Sequence, residues 1–518
     1  MATVLRVADP VAALVDAVGA DAVRTDAATL ELYGQDVFGR GAPLLAVIRP
    51  ASVDALCAGV AAARAQGLAL VPRGGGMSYT GGYLAADAGA VLVDTGALNR
   101  IIEVNETDMT VTVEAGVTWA ALHERLAPLR LRPPVWGTLS GRFATVGGGA
   151  SQNGMFWGAR NGTIADSVLS MDVVLADGSL LTTGARAFRP YGPDLTGLFA
   201  ADAGAFGVKA RLTLKLVREA AAHAYGSYSF PDADGLLAAL SEIAREGLAS
   251  ETCGFDPFLQ AQRMQRESLA SDAKALLGMM KKQGSFWKGL KEGAKVVAAG
   301  RSFLDEVPFS AHVWCEGRSQ AAADADLAAV NAIAARFGGT VVENTIPKIL
   351  RANPFGNVNS MLGPKGERWV PVHGILPHSR GKAAIDAVIA LYESHADAME
   401  RLEVGAGYMF ATVGSNALLI EPVFFWPQPV DAIHRAYVEP AHLAKLPGFP
   451  ETPEARALVE TLRREVIGIM AAHEAIHFQI GRTYPWADSL APAGRRIIDA
   501  MKAAVDPEGA MNPGSLGL

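Results

Sequence analysis

Cysteine is scarce in this chain: Cys57, Cys253 and Cys315 are its 3 thiols among 518 residues. Their wide separation leaves no CxxC pair, so a thiolate metal site and a disulfide framework are both unsupported, and all three read as small buried hydrophobes in a reducing compartment. Positive charge is also short, 46 Lys and Arg against 53 Asp and Glu for a net charge of −7. That balance argues against nucleic acid as a partner. No apolar run reaches the ~20 residues that a bilayer-spanning helix needs. Residues 1–10 have neither the basic start nor the apolar centre of a signal peptide, so the chain is expected in the cytosol. Solenoid-period repeats and low-complexity tracts are missing as well.

Glycine, by contrast, is plentiful, with 55 residues, and it is concentrated. The stretch Val71-Pro-Arg-Gly-Gly-Gly-Met-Ser-Tyr-Thr-Gly-Gly82 sets five glycines around Arg73, between apolar runs at 68–72 and 90–94 that read as buried strands. Such a loop leaves main-chain N–H groups reachable where any larger residue would cover them, which suits a phosphate or pyrophosphate. The competing reading is a tight turn without a ligand. Neither GxGxxG nor GxxxxGK[ST] is satisfied here or in Val146-Gly-Gly-Gly-Ala150, which disfavours a Rossmann nicotinamide site and a P-loop.

A second small, polar, glycine-rich segment covers 138–158 and leads into a strand that ends at an Asp-Gly turn, Asp177-Gly178. A third, 195–216, passes through small residues into an alternating strand, and the chain closes on Asp506-Pro-Glu-Gly-Ala-Met-Asn-Pro-Gly514. In this order the four motifs resemble the FAD-linked oxidoreductases of the vanillyl-alcohol oxidase and p-cresol methylhydroxylase superfamily. The closing motif is similar to that of the D-lactate and glycolate dehydrogenase branch. The match covers about the first 217 residues and the last fifty.

The resemblance implies an α+β chain: a two-subdomain FAD-binding domain of the p-cresol methylhydroxylase type at 1–217, an α+β cap with an antiparallel sheet at 218–465, and a C-terminal return at 466–518. It implies FAD as cofactor. Residues matching the pyrophosphate loop are Arg73, Gly74, Gly75, Gly76, Met77, Ser78, Gly81 and Gly82. Thr138, Thr145, Val146, Gly147, Gly148, Ser151 and Gly154 match the second flavin segment, and Gly207, Val208 and Asn512 are further contacts to the cofactor. Met77 stands where some relatives carry a histidine bonded to FAD, which excludes a bond from that loop; His373 and His378 of the cap remain open as tethers.

On the substrate side, 472–486 is dense in reactive groups. His477 suits a base taking a hydroxyl proton, Arg482 a two-pronged carboxylate or phenolate clamp, and Tyr484 an orienting hydroxyl. His373 is a further catalytic candidate. His473-Glu-Ala-Ile-His477 matches the HExxH zinc pattern in letters, yet the flavin motifs on both sides make a metalloprotease the weaker reading, and no metal is assigned. Aromatic groups at 408–410 and 424–426 suggest an aromatic-lined pocket.

The expected activity is FAD-dependent oxidation of a hydroxyl-bearing carbon by hydride transfer, with a 2-hydroxy acid preferred. Oxidation of para-hydroxylated aromatic alcohols or alkylphenols is the alternative, and a non-redox flavin transferase like alkyl-glycerone-phosphate synthase is a third. An unnamed electron acceptor and a homo-oligomer are expected. The basic stretch 262–295, which mixes Lys with Met, Phe and Trp, suggests peripheral contact with an anionic membrane, against an ordinary solvated helix pair.

Overall fold

The computed structural model describes residues 9–185, 187–264 and 309–518, so most of the basic stretch 262–295 lies outside the described residues. Three sheets organise the chain. The first joins β1 (Val23–Arg24), β2 (Leu44–Ile48), β3 (Leu70–Arg73) and β4 (Ala90–Asp94) in the order β1-β2-β4-β3, the last three parallel. Parallel strands need crossovers and covered faces. The crossover helix Val53–Ala65 starts as its sequence suggests, Ser52 Oγ accepting the Ala55 amide, and buries Leu56 and Val60 with Leu14 of the helix Pro10–Val18 against Ile48, Leu70 and Val93. The other face of the sheet is closed by Tyr83 and Leu84, which follow the glycine-rich loop.

The second sheet is antiparallel: β5 (Ile101–Asn105), β6 (Thr110–Glu114), β8 (Val168–Val174), β9 (Leu180–Thr182) and β10 (Val208–Lys215), in the order β5-β6-β10-β8-β9. A short ribbon pairs β7 (Leu131–Arg132) with β11 (Val217–Arg218). The third sheet is built of β12 (Ala222–Phe230), β13 (Glu251–Phe255), β14 (Phe309–Gly317), β15 (Thr340–Val341), β16 (Arg368–Pro371), β17 (Gly374–Pro377), β18 (Gly405–Val413) and β19 (Ala417–Trp426). Its order is β15-β12-β14-β13-β18-β19-β16, with β17 also on β19.

Side chains of a strand alternate between faces, and here the alternation separates core from cavity. Tyr228, Val313, Phe410 and Ile420 face the helices Ala233–Arg245, Gln320–Arg336 and Gly381–Ser394 and share their core. Cys253, Met409, Leu419 and Val423 face the opposite way, toward the first two sheets. The fold is thus α+β with an antiparallel cap sheet, as expected.

The helix Pro453–Ala472 runs unbroken across the expected boundary at 465 and packs on the cap helix Gly381–Ser394. We therefore set the return after Ala472. From there the chain crosses to the first sheet, where the Leu70 amide donates to the Ala510 carbonyl at 2.9 Å and the Asn512 amide to the Leu70 carbonyl at 2.7 Å, extending the edge of β3. Among the described residues no helix is long and apolar enough to cross a membrane.

Candidate functional site

Between the second and third sheets lies a cavity of 330 Å³ whose floor is glycine. The loop after β3 presses directly on the segment that opens the helix Val146–Gln152. A Cβ on Gly74 would lie 2.5 Å from Thr145 Oγ1, and one on Gly75 only 2.0 Å from the Phe143 carbonyl oxygen. Gly76 has φ +71°, a left-handed conformation that strains any other residue except, mildly, Asn or Asp. Tyr83 donates its hydroxyl proton toward the carbonyls of Gly76 and Ser78, at 2.7 and 3.1 Å. The amides of residues 75–79 donate to no acceptor among the described residues. A buried N–H without an acceptor is costly, and five in succession along a cavity wall form an anion cradle.

Thr145 caps the second segment through its Oγ1, which accepts the Gly148 amide at 3.2 Å. Gly207 and Val208 close the same cavity at the start of β10. Asn512 is fully buried behind it, donating from Nδ2 to the carbonyls of Gly82 (2.8 Å) and Ala203 (2.7 Å), so one side chain ties the first loop, the third segment and the C-terminus together.

Of the expected cofactor residues, Arg73, Gly74, Gly75, Gly76, Met77, Ser78, Gly82, Thr138, Thr145, Gly147, Gly148, Ser151, Gly154, Gly207 and Val208 all line this one cavity. Gly81, Val146 and Asn512 support it from behind. The two cations on its wall are engaged. Arg73 donates to the Tyr437 hydroxyl at 3.0 Å with its guanidinium 4.3 Å over the Tyr33 ring, and Lys209 forms a buried ion pair with Asp202. The free amides of 75–79, laid against a second glycine segment whose own amides are bonded within the protein but whose missing side chains leave room, fit a dinucleotide cofactor.

The catalytic candidates gather elsewhere than expected. His373, His477 and Tyr484 form one cluster, but none of them lies on the cavity wall; Tyr79, Phe478 and Gln479 stand there instead. The Tyr484 hydroxyl oxygen accepts the His373 amide at 3.0 Å and lies 3.1 Å from His373 Nδ1, while His477 Nδ1 is 2.6 Å from the His373 carbonyl. A carbonyl only accepts, so His477 carries its proton on Nδ1 and leaves Nε2 as a free base. Burial holds both imidazoles below their ordinary range, His373 strongly, and pushes the Tyr79 and Tyr484 phenols up.

Arg482 is a correction. It was expected to clamp substrate, yet it donates to the carbonyls of Gly81 and Pro513 and, at 3.0 Å, to Asn512 Oδ1. It fastens the C-terminal return to the first loop. The helix before His473 ends at Ala472 and Glu474 has φ +64°, so His473 and His477 do not share the helical face that the HExxH reading requires. Among the described residues no three His, Cys, Asp or Glu side chains gather as metal ligands would. His378 bonds Ser241 Oγ and the Ser415 carbonyl, away from the cavity wall, and His373 is sealed off behind Phe478 at 3.8 Å. The expectation for cysteine also fails in part, because Cys253 is only half-buried and lines the cavity.

Several wall residues had not been singled out, chief among them Glu251, Trp314 and Glu421 from the cap sheet. The strand alternation of β13, β14 and β19 would have marked them only with the sheet order known. Trp369 and Met409 belong to the wall, whereas their expected companions Tyr408, Phe410, Phe424 and Trp426 pack in the core behind.

The FAD binding domain family matches residues 44–184, the span that holds both glycine segments. Among curated proteins the chain is 26% identical over 323 residues to glycolate oxidase subunit GlcD of Bacillus subtilis, covering 61% of this chain and 67% of that one. It is 33% identical over 211 residues to D-2-hydroxyglutarate dehydrogenase of Xanthomonas citri, covering 40% and 44%. The chain thus spans about half the length of the curated relatives it matches. Among solved structures, p-cresol methylhydroxylase with substrate bound aligns with TM-score 0.72 at 16% identity over 98% of this chain and 96% of the other. The 4-ethylphenol oxidase of Gulosibacter chungangensis aligns with TM-score 0.71 at 19% identity over the same shares. These likenesses carry the fold, and the expected superfamily resemblance is borne out.

Proposed function

Starting from an FAD-binding domain at 44–184 under a cap sheet, we propose that this chain is a flavoprotein oxidoreductase that removes a hydride from the hydroxyl-bearing carbon of a 2-hydroxy acid. The observation that carries the reading is the row of unbonded amides at 75–79 laid against the Thr145 segment, opening toward an apolar, substrate-sized recess on the cap sheet. Similarity to a glycolate oxidase subunit and a D-2-hydroxyglutarate dehydrogenase supports the substrate class. Bound FAD supplies the two-electron acceptor.

The protein's own part is positioning and proton removal. Met409, Leu419, Val423 and Phe478 exclude water from the recess and hold the substrate's apolar side. We assign His477, one residue from the wall residue Phe478 but not on the wall itself, as final acceptor of the hydroxyl proton at Nε2, reached through one intervening water. Its Nδ1–H, tied to the His373 carbonyl, fixes the tautomer, and Tyr484, whose ring stacks on it at 4.0 Å, fixes the plane.

The aromatic-alcohol alternative draws on Trp369 beside Tyr79 on the same wall, ring centroids 5.3 Å apart. Anaerobic mixing separates the two. Loss of the oxidised flavin absorbance with 2-hydroxy acids, and none with para-alkylphenols, is the expected outcome. Bleaching by phenols alone would overturn the reading, and turnover of a lipid without bleaching would point to the transferase. His477→Asn should keep the bound flavin and slow bleaching by about 100-fold or more.

A further inference from the structure

The recess on the cap sheet has a polar group that nothing so far has used. Glu251 opens β13 and is 4% exposed, and it lies on the cavity wall between Trp314 of the neighbouring strand and the loop that carries Met155 and Phe156. One carboxyl oxygen, Oε1, accepts the Thr252 amide at 2.9 Å. The other oxygen, Oε2, is buried without any partner. Glu251 makes no ion pair among the described residues.

A buried carboxyl group with one oxygen on a main-chain donor and the other without any donor or cation partner is built to be neutral. Its proton then sits on the unpartnered oxygen of a side chain that belongs to the cavity lining. The wall's cations are both engaged at the cofactor end, Arg73 with Tyr437 and Lys209 with Asp202. Arg482, the expected clamp, is bonded to the main chain instead. Among the described wall residues the only cations are thus Lys209, paired with Asp202, and Arg73, which carries no ion pair and stands at the glycine loop.

We propose that Glu251 is a specificity-determining residue which, as a neutral acid, donates a hydrogen bond from Oε2 to the carboxylate of the substrate. The assignment rests on the 2-hydroxy acid reading. An O–H···O⁻ bond is among the stronger hydrogen bonds, and a neutral donor accepts an anion without the cost of burying a cation beside it. Burial pushes the Glu251 carboxyl up to about 8, so it is protonated at neutral pH. Bound carboxylate favours the protonated form further.

The sign follows. Affinity is full below the raised value and falls as the pH rises through it, by about tenfold per unit once the acid ionises, because an ionised Glu251 repels the substrate. The ionisable groups on the elements around it are Cys253 on its own strand, His312, Cys315 and Glu316 on β14, Tyr408 on β18, His223, Tyr225 and Tyr228 on β12, Arg160 in the loop after Trp157, and Arg351 near the Trp157 ring. Arg160 is bonded to the carbonyls of Gly247 and Leu248, and Arg351 to Glu219.

The test uses the flavin-loaded protein and pyruvate, an unreactive 2-oxo acid that carries the same carboxylate, with binding read as a perturbation of the flavin spectrum from about pH 7 to about pH 9. Wild-type affinity should fall about tenfold across that range. Glu251→Gln, which retains a neutral donor, should bind with a flat profile. Glu251→Leu should keep its flavin and bind pyruvate at least tenfold more weakly at every pH. A flat wild-type profile, or Glu251→Leu binding like wild type, overturns the assignment. If no 2-hydroxy acid bleaches the wild-type flavin, the functional reading falls and takes this one with it. If bleaching occurs while the pH profile is flat, the Glu251 assignment falls alone.

Discussion

Gly75 and Arg482 mark the two ends of what single residues disclose in this chain. The glycine loops were legible because no other residue tolerates the contacts they make: a Cβ on Gly75 would meet a carbonyl oxygen, and Gly76 has φ +71°. Local chemistry alone demanded them. Arg482 misled because its partners, Gly81 and Pro513, are brought to it by the fold from distant parts of the sequence. A cation next to histidines and a tyrosine reads as a clamp until its carbonyl acceptors are located. The account accordingly expects Arg482→Ala to loosen FAD by about tenfold or more, roughly 1.4 kcal/mol, and to lower the melting temperature while leaving the substrate KM of the flavin-loaded fraction within about twofold. Fluorescence titration of apoprotein with FAD, followed by steady-state kinetics, checks this. A raised KM with unchanged FAD affinity would restore the clamp.

Among the elements, capped helices and half-buried strands followed the sequence closely. Thr118 caps the helix Trp119–Leu126 by accepting the Ala121 amide at its Oγ1, and β6 follows the polar–apolar alternation of its own residues, Thr110–Glu114. From sequence the aromatic run at 408–410 reads as one pocket-lining set, but a strand sends neighbours to opposite faces, so Met409 reaches the cavity while Tyr408 and Phe410 pack on helices. Which face is which depends on the sheet that β18 joins, and that is not local information. The cap on the helix Val146–Gln152 offers a test at this scale. Thr145→Ala removes the acceptor for the Gly148 amide and should lower stability by about 1 kcal/mol, whereas Thr145→Ser should retain most of it. Urea denaturation of both variants is the measurement; equal midpoints would show that the cap contributes nothing.

For the molecule as a whole, two buried imidazoles set the acid limit. His434 accepts the Asp431 amide at Nδ1, and burial holds it down at about 3; His373 is likewise held well below its ordinary value of 6.5. The folded state keeps both neutral while the unfolded state protonates them below that ordinary value, so the unfolded chain binds more protons there. Their stabilising contribution is complete above pH 6.5 and is lost progressively as the pH falls toward 3. The urea midpoint should therefore drop between about pH 7 and about pH 5, less steeply in His434→Gln; a midpoint that rises over this range would contradict the assignment. The pairing of β12, β14, β13, β18 and β19, which sets Gly254 opposite Phe410, was beyond any reading of local pattern, and it is this pairing that roofs the cavity.

The central claim is that the unbonded main-chain amides of the first glycine-rich segment, laid against the second, hold FAD at the junction of the sheets, and the flavin content of the purified protein tests it most directly. The account predicts a yellow protein carrying FAD in proportion to chain, and a Gly75→Ala variant that folds but is purified pale and takes up added FAD poorly. A wild-type protein that stays colourless after incubation with FAD, or a Gly75→Ala variant that is as yellow as wild type, would contradict it.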